Sequence, residues 1–136
     1  MKRITLVHWK AEEAAPLAER LRGLGYSVSV HSKQGSHSSL RRNPPAAFVI
    51  DLGRLPSHGR EVGSWLRRQK DTRPVPLVFV GGKEDKVARL RELLPDAVFT
   101  EWEVMDEALA EAIASPPEQP VRIKNSTVYS ISTSRK

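Results

Sequence analysis

Residues 46–51 read Ala-Ala-Phe-Val-Ile-Asp, with no polar side chain before the last. A run this short and this apolar has no wet face. It suits a strand buried on both sides, the situation of a central strand in a parallel sheet. Parallel neighbours cannot be joined by a tight turn. Each connection needs about a dozen residues or more, usually a helix. The flanking segments must therefore supply helices.

They carry the right periodicities. Apolar runs recur at 4–7, 26–30, 76–80 and 97–100. In 26–30, Tyr26, Val28 and Val30 alternate as one half-buried face. Ala14, Leu17, Ala18 and Leu21 share a helical face. Pro16 is expected in the first turns of that helix, where a missing N–H costs little. Gly23 and Gly25 stop it. Further helices are predicted from about Arg60 to Gln69 (Val62, Trp65 and Leu66 inward), from Glu84 to Leu94 (Val87, Leu90 and Leu94) and from Met105 to Ala114 (Leu109 and Ile113). Residues 31–43 are polar, and a short helix around Ser38–Arg42 fits as well as a loop. Alternating strands and helices imply right-handed crossovers and a sheet covered on both faces. The fold class expected is α/β: a flavodoxin-like three-layer sandwich whose five parallel strands lie in the order 2-1-3-4-5.

This domain is expected to span residues 1–114. From 115 to 136 the composition turns to Pro, Ser and Thr with basic residues. That tail reads as flexible, with residues 128–132 as a candidate edge strand. No apolar run approaches the roughly 20 residues of a membrane span. The N-terminal apolar run is too short for a signal peptide, so the expected location is cytoplasmic. The absence of cysteine excludes disulfides, thiolate metal sites and Cys nucleophiles.

A net charge of +6 raises the question of nucleic acid. The basic residues are scattered, often beside acids, and no aromatics interleave with them as a single-strand platform needs. Solvated helix faces explain them better, and nucleic-acid binding is the least favoured reading.

Asp51 closes the third of five strands, followed by Pro56 and Gly59. In this the chain resembles the receiver domain (CheY-like) of bacterial response regulators, over roughly residues 3–114. The resemblance implies a phosphate-accepting position at Asp51 and signal transduction within two-component systems. Other family positions differ. Where receivers place an acidic pair for magnesium, this chain has His8 and Trp9. Where a Ser or Thr contacts the phosphoryl group, it has Gly81. Where a Lys follows the fifth strand, it has Thr100, Glu101 or Trp102. Magnesium takes about six hard oxygen ligands, and phosphoryl transfer depends on positioning and charge neutralisation. Efficient phosphorylation of Asp51 is therefore not expected, and the resemblance points to a pseudo-receiver without a cofactor. Magnesium enters only if Asp51 is a working phosphoacceptor.

In the proposed strand order, the first and third strands are neighbours, so His8 is expected beside Asp51 as its counter-group, a pair suited to sensing mildly acidic pH. Trp65 reads as core. Receivers bind partners through the fourth helix, fifth strand and fifth helix. Here that face would hold Lys86, Arg89, Arg91, Thr100, Trp102 and Glu103, with Trp102 either an exposed anchor or folded over the strand end. Other signalling proteins are the expected partners, and this face would also serve a homodimer.

Weaker patterns carry less. Gly81-Gly82-Lys83 lacks the spacing of a phosphate-binding loop. Ser57 and His58 sit too close to Asp51 in sequence for a triad. His31, His37 and His58 lack zinc-ligand spacing and read as loop residues. No acid/base pair or nucleophile assembly argues for an enzyme.

Overall fold

The structure, a computed structural model, describes residues 1–33 and 35–115. Its strands are β1 (Arg3–Val7), β2 (Ser27–His31), β3 (Ala47–Asp51), β4 (Leu77–Val80) and β5 (Val98–Thr100). All pairings are parallel and the order is β2-β1-β3-β4-β5, as expected. Helices α1 (Ala11–Gly23), α2 (Pro56–Arg68), α3 (Glu84–Leu93) and α4 (Met105–Ala114) cover the sheet. Between β2 and β3 the described residues form a 3-10 turn, His37–Arg41, and no α-helix. The expected tail, 115–136, lies outside the described residues except for Ser115. Among those described, no helix is long and apolar enough to cross a membrane.

The period of two along β3 builds two cores. Ala47 and Val49 pack with Ile4, Leu6 and Val80 against α1 and α4, including Ala14, Ala18, Leu21 and Leu109. Phe48 and Ile50 face the opposite way, towards Val62, Leu66, Leu90 and Leu94 of the α2–α3 layer. All five β3 residues are buried.

Three details differ from the sequence reading. α2 begins at Pro56, not near Arg60, because the proline takes the first helical turn, where its fixed φ and missing N–H are tolerated. That extra turn carries His58 into the helix. Pro16 lies inside α1, past its first turn, since the helix starts already at Ala11 with Glu12 and Glu13 favourable near its N-terminus. Val30 is exposed rather than half-buried, near the end of the edge strand β2, while Val28 on the same face still packs on the core.

Candidate functional site

Asp51 is the last residue of β3, one position beyond Ile50, which pairs with Val7 of β1. Extending that register by one sets His8 beside Asp51. Residues 4 and 6 of β1, with His8 just past its end, and 47, 49 and 51 of β3 share a side by strand alternation, so both side chains emerge on the α1–α4 side. His8 Nε2 stands 3.5 Å from Asp51 Oδ2, and both residues are buried. The distance is beyond a well-formed hydrogen bond. His8 Nδ1 accepts the N–H of Lys10 at 3.0 Å. That bond requires a bare Nδ1, so the proton of the neutral ring sits on Nε2, facing the carboxylate. The expected neighbourhood of His8 and Asp51 is present.

Three further groups hold the carboxylate. Oδ2 accepts the backbone N–H groups of Gly53 and Arg54 at 3.1 and 3.2 Å, a turn closed by the aspartate itself. Oδ1 accepts the indole N–H of Trp102 at 3.2 Å. Trp102 opens a 3-10 turn, Trp102–Val104, just after β5. It is half-buried and packs on the α1–α4 core. The guanidinium of Arg20 lies 5.8 Å from its ring centre, and Arg20 is bonded to Asp106 of α4 at 2.7 Å. Trp102 is thus folded over the strand ends rather than presented as an exposed anchor.

Other expected positions fall around this rim. Gly81 donates its N–H to Thr100 O at 2.9 Å. Its φ is +79°, and Gly82 follows at +96°. A serine or threonine would be strained there. Thr100 is half-buried and Glu101 exposed; the Thr100 hydroxyl donates to the Glu101 carbonyl at 3.4 Å. Lys86 and Arg89 are exposed on α3. Trp9 points to the other side of the sheet, edge-on to His58 at 5.0 Å between ring centres, with Lys33 over it at 5.5 Å.

The donor chemistry around Asp51 does not fit magnesium. A hard cation needs oxygen ligands and waters, and this carboxylate faces two amide N–H groups, an indole N–H and an imidazole. Among the described residues, no group of three or more His, Asp or Glu is arranged to hold a metal.

The reading by residue type missed two things. One is the Trp102–Asp51 bond, whose signal was present: an aromatic with an N–H donor directly after a strand whose end lies on the same rim. The other is that His31, His37 and His58 are not scattered loop residues. His31 ends β2, His37 opens the 3-10 turn and His58 lies in the first turn of α2, and they gather on the α2 side of the sheet.

Comparison with known proteins bears on the fold. No protein-family model matches the chain, and no curated protein matches it. Among solved structures, a sensor protein from Polaromonas sp. JS666 superposes with a TM-score of 0.65 at 24% identity, over 83% of this chain and 96% of that one. The chemotaxis protein CheY4 of Vibrio cholerae gives 0.64 at 14% identity, over 84% and 97%. The signal receiver domain of a histidine kinase from Syntrophus aciditrophicus gives 0.62 at 20% identity, over 84% and 88%. The likeness is one of fold. The flavodoxin-like fold expected from the alternating strands and helices, with five parallel strands in the order 2-1-3-4-5, is the fold observed.

Proposed function

We propose that this chain is a receiver-like signal-transduction module that works by binding other proteins, with Asp51 serving as a structural acceptor and not as a phosphate carrier. One observation carries the reading: both oxygens of the Asp51 carboxylate are engaged, by Trp102, Gly53 and Arg54, with His8 alongside. Attack on a phosphoryl donor would require Asp51 to give up the indole bond or the turn. It would also proceed without the neutralising cation and ammonium on which such transfers depend. The partner face of this reading is α3–β5–α4, where Lys86 and Arg89 are exposed and Val104 presents an apolar side chain. Signalling proteins are the partner class, and a second copy could use the same face.

The fold likeness to proteins described as response-regulator or signal-receiver domains favours a second reading, a response regulator phosphorylated at Asp51 in a two-component phosphorelay. Incubation with magnesium and acetyl phosphate, followed by intact mass measurement, separates the two. The interaction-module reading expects no phosphoryl adduct. An adduct that disappears in Asp51→Asn would replace it with the second.

A further inference from the structure

All four histidines of this chain lie at one end of the sheet, and three of them sit apart from Asp51 on the α2 side. His31 is the last residue of β2 and pairs in register with Val7, whose side chain belongs to the α2–α3 core. It is 5% exposed. Its ring is edge-on to His37 at 5.8 Å between centres, and His37 is edge-on to Trp65 of α2 at 5.6 Å. The chain passes so closely over His31 at Gly35 that a Cβ there would lie 2.8 Å from Nδ1 and Cε1 of the imidazole. His31 Nε2 is buried and has no hydrogen-bond partner among the described residues. Just beyond, the 3-10 turn plugs Leu40 into the apolar layer containing Val62 and Leu66.

We propose that this imidazole cluster is an acid-responsive latch that holds the 3-10 turn on α2 while neutral and releases it when protonated, uncovering Leu40 and the α2 surface beneath.

The physics follows from the neighbours. A proton on His31 would place a charge in a buried site, beside two further imidazoles, with a donor that finds no acceptor among the described residues. Burial first, then His37 and His58, hold the His31 pKa down from the ordinary 6.5 to about 4. For His58 the same causes dominate, burial and then His37. Glu61 on α2 opposes them and His8 adds to them. Other charges on this side are Lys33, over Trp9, and Arg41, paired with Asp71 at 3.3 Å on the exposed flank of the turn. Glu61 thus favours a proton on His58, while none of the causes acting on His31 does so. When the turn lifts away, the imidazoles regain water and their ordinary basicity. Opening therefore takes up protons, and acid drives it.

The test follows Leu40 and Ile50 methyl signals by NMR as the full chain is titrated from about pH 7 to about pH 4.5. Leu40 is expected to move towards its unfolded position below about pH 6.5, the ordinary histidine value, while Ile50 on β3 holds. In His31→Gln the Leu40 movement should be lost or displaced to lower pH. His37→Gln, at a half-buried site more tolerant of exchange, should weaken it and serves if His31→Gln does not fold. A Leu40 signal that ignores pH would overturn the latch. So would identical acid movement in the variants that fold, or Ile50 moving together with Leu40, which would mean global unfolding.

Discussion

The indole N–H of Trp102 donates to Oδ1 of Asp51 at 3.2 Å, joining residues 51 positions apart in the chain. The bond ties the start of the β5–α4 connection to the end of β3. Because Arg20 lies beside the same ring and is bonded to Asp106, α1 and α4 are drawn into the same corner. A carboxylate at the rim of a parallel sheet thereby becomes a structural centre.

Trp102→Phe keeps most of the packing and removes the donor. A hydrogen bond to a charged acceptor contributes about 1.5–3 kcal/mol, so urea denaturation should show a loss in that range. Asp51→Ala combined with Trp102→Phe should be distinctly non-additive, since each change removes one partner of the same contact. Additive losses would mean that the bond contributes nothing of its own.

Arg67 is fully buried. Its Nε donates to Asp96 Oδ2 at 3.0 Å, and Nη1 donates to the carbonyls of Arg73 and Val75 at 2.9 and 2.7 Å. Burial pulls the guanidinium pKa down and Asp96 opposes that pull. Removing one partner of a buried pair strands the other's charge, which costs about 3–5 kcal/mol. Asp96→Ala should fall in that range by chemical denaturation. A loss below about 1 kcal/mol, the scale of an exposed pair, would show that the guanidinium finds water there.

Gly63 lets α2 approach the sheet. A Cβ at this position would lie 2.7 Å from Cζ of Phe79, whose ring is stacked on Phe99 at 5.3 Å, and 3.3 Å from Leu94. Alanine is a better helix former than glycine by about 1 kcal/mol. Overpacking a filled core costs about 1–3 kcal/mol. The clash should win, so Gly63→Ala is expected to lower the melting temperature despite its favourable propensity.

The histidines give the folded state a pH dependence with a definite sign. His31 and His58 are bases whose folded pKa values lie below the ordinary 6.5, His31 at about 4. The unfolded chain therefore binds more protons than the folded one between those values. Their contribution is fully present at neutral pH, falls as pH drops below about 6.5 and levels off near 4 for His31. Urea midpoints measured across that window should decline, and His31→Gln should flatten part of the slope.

Much of the architecture is legible in the sequence. Ala46–Asp51 has no wet face, so it could only be a doubly covered strand, and the spacings of Val87, Leu90 and Leu94 admit one helical face. The strand order then placed His8 beside Asp51, as found. Boundaries set by local chemistry were harder: Pro56 opens α2 earlier than the apolar pattern suggests, because a first turn needs no apolar residue. Trp102 could not be resolved between an exposed anchor and a folded cover by residue type alone. Its orientation depends on the 3-10 turn after β5 and on the free acceptor of Asp51. The His31–His37–His58 grouping was invisible for a related reason. It is assembled from a strand end, a turn and a helix start, with no spacing rule among them.

The indole N–H signal of Trp102, assigned with Trp102→Phe, tests most directly whether Asp51 is a committed acceptor. It should be followed by NMR during titration with magnesium and beryllofluoride, a mimic of the phosphorylated carboxylate. An unmoved Trp102 signal is the predicted result. A saturable shift of that signal, abolished in Asp51→Asn, would mean that Asp51 exchanges the indole for a phosphoryl group and would contradict the account.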